Sequence, residues 1–376
     1  MENRFLVWVL YKNRIEAPYS KKKRMKNNCL FLLAVFLLMQ CSSKEATVYT
    51  PVPYTLEVPT QFTNKLIAPI IPANNPLTEE GVALGKKLFF DRKLSGNNTQ
   101  SCATCHSPQK SFTNNLQFNE GIQGILGTRN SMPLFNLAWN FDERFAWDGK
   151  EVGLEKQALE PVRNPIEMHA NWGTVAEKLQ ASPEYPDLFL QAFGSSEIDS
   201  VLITRALAQF ERILISGNSK FDRYLNGETT LTPQELAGFN VFMDEAKGDC
   251  FHCHGSDNNP LWTDNKFHNN GLDSNFSDLG LGAVTGDTND NGKFKSPSLR
   301  NLKFTAPYMH DGRFATLDEV IQHYSEGLQP SATIDPLMKK VNQGGVGLSL
   351  QEKANLKAFL LSLSDSNFVN NPAFRE

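Results

Sequence analysis

The chain has 376 residues, of which 40% are hydrophobic and 21% are charged, so it is long enough for two globular domains of ordinary size. Its formal net charge is -4, and basic residues form no run outside the N-terminal region, which argues against a nucleic-acid partner. The composition favours a small-molecule or a protein partner.

Residues 1–41 have the pattern of an export leader. Basic residues around Lys23 precede the apolar run Cys29–Met39, whose 11 residues are too few to span a bilayer as a helix. Because Met25 opens a segment with the same charged start and apolar centre, translation from Met25 is an alternative to translation from residue 1. A signal peptide is predicted with either start.

The apolar run ends at Cys41, in a context that resembles a bacterial lipobox, where the cysteine is lipidated and becomes the mature N-terminus. Gln40 is larger than the small residue usual before that cysteine, so ordinary signal cleavage is the alternative. Both outcomes place the mature protein in the periplasm or cell envelope. A lipid on Cys41 would tether the protein to a membrane without embedding it.

The four cysteines beyond the leader form two copies of the pattern Cys-x-x-Cys-His. The first copy is Cys102, Cys105 and His106, and the second is Cys250, Cys253 and His254. Two thiols on one helical turn can add to the two vinyl groups of a haem, and the adjacent imidazole then ligates the iron. Two covalently attached c-type haems are therefore predicted. A redox disulfide and a zinc site are the alternatives, but neither requires a histidine in the same place twice.

Each copy follows a similar helix start, which predicts a duplicated, mainly α-helical haem domain. Thr78 and Thr232 are suitable N-caps, and apolar residues follow each of them at helical spacing before the cysteine loop. Residues 197–216 also predict a long amphipathic helix, and residues 276–291 predict a long loop. Further capping boxes predict helix starts at Thr174, Thr316 and Ser349.

The polar segment 216–228, rich in glycine, asparagine and charge, is the best candidate for a domain boundary. The predicted organisation is a leader (1–41), a short linker (42–74), an N-terminal haem domain (75–228), a C-terminal haem domain (229–365) and a tail (366–376).

Three further segments, Phe145–Lys150, Asn164–Met168 and Thr305–Gly312, complete a resemblance to the bacterial di-haem cytochrome c peroxidase family, which includes MauG. The resemblance covers about residues 75–365. It implies two cytochrome c-like domains packed face to face, with peroxide reduced at the first haem and electrons entering through the second.

The resemblance also implies which residues form the peroxide site. Glu167 matches the family's active-site acid, which would move a proton from the inner peroxide oxygen to the outer one; a surface or capping role is the alternative. Gln157 matches a glutamine of the same pocket that can hydrogen-bond peroxide. Trp147 matches the tryptophan between the haems, where an indole shortens the gap for electron transfer, although a core role is the alternative.

A calcium ion is implied between the two domains. The family binds it through an asparagine side chain and two backbone carbonyls, and Asn130, Thr305 and Pro307 match these positions. All three donors are hard oxygens, as calcium prefers, and water must supply the rest of its ligands.

Two departures from the usual family pattern concern the iron ligands. Many members carry a histidine that caps the first iron, but no histidine lies between Ser107 and Asn136, so the first haem is expected to be open at rest. The second iron usually takes a methionine fourteen residues after the histidine that is His310 here. That position is Tyr324, as in MauG. A tyrosinate stabilises ferric iron and lowers its potential relative to methionine.

Other residues near these positions qualify as ligands by type alone. Met309 follows a tyrosine in an apolar turn, which is typical of packing, and His323 would point about 100° away from Tyr324 on a helix. His310 is expected to support its loop rather than bind iron. No motif assigns a function to His169, His252 or His268.

The sequence favours a cytochrome-c peroxidase-type enzyme that takes electrons from a small periplasmic donor, a cytochrome c or a cupredoxin. One alternative is a MauG-like oxidase that removes electrons from a protein side chain, which Tyr324 favours. The other is a non-catalytic di-haem electron carrier, which Glu167 disfavours. A homodimer is expected by analogy with relatives.

Overall fold

Helices carry most of the regular structure in residues 50–376, the part of the chain that the computed structural model describes. The predicted leader, the start at Met25, the lipid site at Cys41 and linker residues 42–49 lie outside the described residues. In the described part, no helix is both long enough and apolar enough to cross a membrane.

The helices, in chain order, are α1 (Thr60–Lys65), α2 (Glu79–Phe90), α3 (Cys102–Cys105), α4 (Leu154–Gln157), α5 (Leu159–Arg163), α6 (Trp172–Gln180), α7 (Tyr185–Phe193), α8 (Ser200–Arg212), α9 (Lys220–Leu225), α10 (Pro233–Met243), α11 (Phe251–His254), α12 (Leu281–Thr285), α13 (Leu317–Glu326), α14 (Leu350–Ser362) and α15 (Ser366–Asn370). Single 3₁₀ turns occur at Arg92–Leu94, Pro108–Lys110, Leu137–Trp139, Thr288–Asp290, Leu302–Phe304, Val341–Gln343 and Pro372–Phe374.

Strands are short in the described residues. Antiparallel pairs form between β1 (Arg144–Phe145) and β2 (Glu151–Val152), and between β3 (Phe267–His268) and β4 (Phe294–Lys295). In β1–β2, Phe145 is opposite Glu151, and in β3–β4, Phe267 is opposite Lys295. The mainly α-helical class is therefore confirmed for the described residues.

The first core is built where α2 crosses α8. Thr78 caps α2 as predicted, since its side chain accepts the N–H of Gly81. A Cβ atom at Gly85 would lie 1.9 Å from the carbonyl oxygen of Ala206, so only glycine permits this close crossing. Around it, Phe89 and Phe210 meet edge to face with ring centroids 5.3 Å apart.

The second core is built in a similar way, where α10 crosses α14. A Cβ atom at Gly238 would lie 1.9 Å from the carbonyl oxygen of Asn355. The buried residues of this cluster extend from Phe221 to Leu363, whereas those of the first cluster extend from Leu84 to Leu214 and resume at Phe368. Both halves thus use a glycine at their main helix crossing, in keeping with duplication. The domain boundary and the face-to-face arrangement remain predictions.

Capping residues in the sequence predicted most helix starts correctly. The capping boxes at Thr232, Thr316 and Ser349 are present. The predicted start at Thr174 is wrong, because α6 begins earlier, at Trp172, where Asn171 accepts the N–H of Gly173.

The two longest predicted segments also differ from the structure. The helix predicted over residues 197–216 spans only Ser200–Arg212, because the Asp199 side chain caps its start by accepting the N–H of Leu202. The loop predicted over residues 276–291 contains α12 and one 3₁₀ turn.

The C-terminal segment packs against the first core. Phe368, Val369 and Phe374 are buried in the first cluster, and Phe368 packs on Phe112 with ring centroids 5.7 Å apart. The last residues of the chain therefore help to enclose the loop after the first Cys-x-x-Cys-His motif, to which Phe112 belongs.

One buried ion pair connects α9 to the segment that precedes the Leu302–Phe304 turn. Arg300 is 0% exposed, and its guanidinium donates to both carboxylate oxygens of Asp222 at 2.7 Å each. Burial opposes ionisation of Asp222, but Arg300 and Ser219 outweigh it and hold the pKa of that carboxyl below its usual value. The carboxylate is thus ionised at neutral pH, and removing it would leave the buried guanidinium of Arg300 without a counter-charge.

Replacing Asp222 with asparagine is expected to destabilise the protein by about 3–5 kcal/mol, because the guanidinium of Arg300 would be left buried without a counter-charge. The unfolding midpoint of the holoprotein in urea measures this loss. Asp318→Asn is the matched control, because Asp318 pairs with Lys357 at the surface, where such pairs contribute about 0–1 kcal/mol. Equal, small losses in both variants would contradict the expectation.

Candidate functional site

The first Cys-x-x-Cys-His motif lines a cavity of about 1050 Å³, a volume at the upper end of the usual range for cofactor sites. Cys102 and Cys105 lie on the single turn of α3, whose start is closed by reciprocal hydrogen bonds between Ser101 and Thr104. Both cysteines are free thiols and both line the cavity, together with His106. A disulfide between them is therefore absent from this structure.

His106 is held in an orientation suited to metal binding. Its Nδ1–H donates to the carbonyl oxygen of Phe112 at 2.8 Å, so Nε2 is the ring nitrogen that can bind a metal. Burial lowers the pKa of His106, so the ring is neutral. Ser111 and Phe112 both adopt positive φ, at 56° and 59°, and this tight turn carries the carbonyl that His106 contacts. A neutral imidazole beside two thiols on one turn fits covalent haem c.

The second motif lines a separate cavity of about 230 Å³. Cys250, Cys253 and His254 all contribute to its wall. Burial lowers the pKa of His254 to about 4, so this imidazole is also neutral and available as a ligand. Ser296 lies 3.4 Å from its Nδ1. The donor set matches that of the first motif and fits a second haem c.

Glu167 and Gln157 both face the first cavity. Gln157 ends α4, and Glu167 lies in the turn after α5, where Asn164 donates from Nδ2 to its Oε1 at 2.7 Å. The Glu167 side chain is accessible because it faces the cavity, yet the surrounding protein still desolvates the carboxyl group and raises its pKa. The cavity that contains His106 thus also contains a carboxyl group with a raised pKa and a side-chain amide.

Trp147 lines both cavities and is 7% exposed. Its indole N–H donates to the carbonyl oxygen of Asn130 at 2.8 Å, and its own carbonyl oxygen accepts the N–H of Lys295 at 2.8 Å. The indole therefore forms part of the wall that the two cavities share, and a position between two haems remains a prediction.

Tyr324, on α13, faces the second cavity. Burial raises the pKa of its phenol to about 12, and Asn270 opposes that shift by donating from Nδ2 to Oη at 3.0 Å. Met309 lines the same cavity, with its sulfur 3.7 Å from the same amide nitrogen. His323 is buried outside this lining, and its Nε2 has no hydrogen-bond partner among the described residues. Of these candidate iron ligands, Tyr324 and Met309 therefore face the second cavity.

The three residues predicted to bind calcium line the second cavity together. Asn130 contacts the segment of the other two, because its backbone N–H donates to the carbonyl oxygen of His310 at 2.7 Å. The Ala306–Pro307 peptide bond, next to Thr305, is cis. This proximity is compatible with a shared ion, and calcium binding remains a prediction.

Histidines outside the motifs have distinct surroundings. His310 lines both cavities and stacks on Phe294 with ring centroids 3.6 Å apart, as expected of a loop-supporting residue. His268 lines the second cavity between Asp264 and Asp335, at 2.8 Å and 2.6 Å. Burial opposes protonation of His268, but these two carboxylates raise its pKa to about 12, so it is a cation.

Sequence reasoning missed Asn270, His268 and Lys295 as residues of the cavity walls. Asn270 is 54 residues from the tyrosine that it contacts. None of the three residues belongs to a recognisable pattern, so only the folded chain reveals their contacts.

Comparison with known proteins supports two haem sites in one architecture. The family model described as di-haem cytochrome c peroxidase matches residues 79–230. The methylamine utilization protein MauG of Methylorubrum extorquens is 40% identical over 298 residues, which cover 78% of this chain and 80% of that protein. Cytochrome c551 peroxidase of Nitrosomonas europaea is 36% identical over 265 residues, covering 69% and 76%.

Among solved structures, a MauG-like protein associated with microbial copper homeostasis is 35% identical and superposes with a TM-score of 0.76. That match covers 86% of this chain and 99% of the other. The di-haem peroxidase BthA of Burkholderia thailandensis, 21% identical, shares the fold with a TM-score of 0.70.

Proposed function

Because this chain belongs to the di-haem cytochrome c peroxidase family, which includes MauG, we propose that it reduces hydrogen peroxide to water at the first cavity with electrons passed through the second. The observation that carries the proposal is the placement of Glu167 and Gln157 in the cavity of His106. Peroxide, two electrons and two protons give two waters.

Bound haem supplies the iron at which the peroxide O–O bond breaks and the electrons that this cleavage consumes. His106 would ligate the first iron through Nε2, and His254 with Tyr324 would ligate the second.

The protein's contribution at the first cavity is proton transfer. Glu167 takes a proton from one peroxide oxygen and returns it to the other, so that water rather than hydroxide departs. Burial raises the pKa of Glu167 towards neutral pH. A group that both accepts and donates a proton works best when its pKa is near the working pH. Gln157 orients peroxide by hydrogen bonding through its side-chain amide.

Trp147 supplies the connection between the two sites. Electron transfer is favoured by a short path through packed groups, and its indole is part of the walls of both cavities. We assign to it the passage of electrons from the second haem towards the first.

Steady-state turnover tests the proposal directly. The holoprotein is supplied with a reduced small cytochrome c or a reduced cupredoxin, and peroxide consumption is followed with donor oxidation. The proposal predicts that two donor molecules are oxidised for each peroxide consumed. Peroxide consumption without donor oxidation, or no consumption, would refute it.

A second candidate function is the peroxide-dependent oxidation of a protein side chain. Tyr324 in the second cavity favours it, as do the MauG and MauG-like proteins among the relatives. Here the electrons come from a protein substrate instead of a small carrier. Negligible turnover with both donors, together with a long-lived oxidised form after peroxide addition, would select this candidate.

We also propose that calcium binds between Asn130, Thr305 and Pro307. Removing it with EGTA is expected to lower the thermal midpoint and slow turnover. The midpoint falls because an ion whose free concentration is 100 times its Kd stabilises the folded state by about 2.7 kcal/mol. Calcium addition should restore both properties. Asn130→Ala should reproduce the loss, whereas the exposed Asn226→Ala should not. A protein indifferent to EGTA would contradict calcium binding.

The envelope location and the homodimer are proposals of the same kind. Covalent haem c and the leader support export, and a lipid on Cys41 would hold the protein at a membrane. Fractionation of the native host, with Cys41→Ala for comparison, tests the anchor. Sedimentation of the holoprotein tests the dimer.

A further inference from the structure

Lys295, on β4, is a buried cation in the wall that the two cavities share. It lines both cavities and is 6% exposed. Its backbone N–H donates to the carbonyl oxygen of Trp147 at 2.8 Å, which fixes the strand beside the indole. The lysine is therefore next to the residue assigned to electron passage.

The ammonium group of Lys295 has neutral hydrogen-bond partners. Nζ donates to the carbonyl oxygen of Asn265 at 2.7 Å and to Oδ1 of Asn140 at 3.3 Å. An ammonium has three N–H donors, so one donor has no oxygen partner; Nζ also lies 5.5 Å from the ring centroid of Phe267, which carries no charge. No carboxylate in residues 50–376 forms an ion pair with it; Asp142 and Asp264 act on it only through longer-range attraction.

The other cations of the cavity walls differ from Lys295 in this respect. Arg129 pairs with Asp148 and Asp278, Lys150 with Glu160, Arg313 with Asp273 and Asp311, Lys339 with Glu245 and Asp249, and His268 with Asp264 and Asp335. Lys340 has no such pair but is partly exposed to water. Within the described part of the chain, Lys295 is the buried cation of these walls without a carboxylate partner.

A buried cation without a counter-ion is costly. Burial lowers the pKa of Lys295 to about 8. An anion supplied by a ligand of the cavity would remove that cost and keep the ammonium charged. Each haem carries two propionate carboxylates, and both cavities meet at this side chain.

We propose that Lys295 binds a propionate carboxylate of a bound haem at the wall between the two cavities, and so raises the reduction potential of that haem. The potential rises because a nearby positive charge favours the reduced iron, which carries one charge less. The proposal depends on haem attachment and not on peroxide reduction, so either can fail alone.

The test measures the reduction potentials of both haems in the holoprotein by spectroelectrochemical titration. Lys295→Met keeps the length of the side chain and removes its charge, and the potential of at least one haem is expected to fall. Lys303→Met is the matched control, because Lys303 is exposed, and both potentials should match those of the unmodified protein. A lower melting temperature with both potentials unchanged would assign Lys295 a structural role only and overturn the proposal.

A second variant covers the case in which Lys295→Met fails to fold or to attach haem. Lys295→Arg keeps the charge but changes the hydrogen bond to the carboxylate. In this variant, the propionate bending band of one haem is expected to shift in the resonance Raman spectrum, while both potentials stay close to their original values. An unchanged band in the folded Lys295→Arg protein would likewise overturn the proposal.

Discussion

Replacing Glu167 with glutamine is expected to slow peroxide reduction by about 10²–10⁴-fold, the usual contribution of a positioned general acid–base group. Asn164 donates to Glu167 Oε1 at 2.7 Å, and glutamine can keep that hydrogen bond through its own carbonyl oxygen. It cannot accept and return a proton. Stopped-flow measurement of the peroxide reaction with the reduced holoprotein isolates this step from donor binding.

The pH dependence separates proton transfer from a role in packing. Because desolvation raises the pKa of Glu167, the carboxylate is lost as the pH falls through a value above that of an exposed glutamate. The rate should therefore decrease on the acid side in the unmodified protein and lose this dependence in Glu167→Gln. The exposed Glu197→Gln is the matched control, with full rate and an unchanged profile. An unaltered acid limb in Glu167→Gln would assign proton transfer to another group.

Tyr324→Met is expected to raise the reduction potential of the second haem by an amount on the order of 0.1 V or more, since axial ligands tune haem potentials over about 0.8 V. A phenolate stabilises ferric iron, whereas a thioether favours the ferrous state. Asn270 holds the phenol oxygen at 3.0 Å, so the ligand position is defined by a neighbour that the substitution leaves in place.

The potential is measured by spectroelectrochemical titration of the band assigned to the low-spin haem. Tyr224→Phe, a change outside the second cavity, is the matched control and should leave the potential unchanged. If Tyr324→Met also leaves it unchanged, Tyr324 is not the ligand. Met309 would then be the next residue to substitute, because its sulfur contacts the same Asn270 amide as Tyr324.

The sequence predicted what is encoded locally. A Cys-x-x-Cys-His motif needs only one helical turn, so both motifs could be proposed as attachment sites from spacing alone, and both line cavities. Helix caps are also local, which explains why the starts after Thr232 and Ser349 were correct. The error at Thr174 arose because two capping residues compete in that segment, and Asn171 comes first.

Contacts between distant segments could not be predicted from local patterns. Asn270 on Tyr324, Lys295 beside Trp147 and Phe368 in the first core all depend on how the chain returns on itself. An isolated asparagine or lysine has no periodicity that reports its partner. The family resemblance supplied Glu167 and Tyr324, because it compares ordered motifs rather than single residues.

The measurement that tests the central claim most directly is the electron paramagnetic resonance spectrum of the ferric holoprotein, before and after one equivalent of hydrogen peroxide. We expect one high-spin and one low-spin haem in equal amounts at rest, with the high-spin signal lost on peroxide addition. Two low-spin signals that do not respond to peroxide would show that both irons are fully ligated. The protein would then be an electron carrier and not a peroxidase.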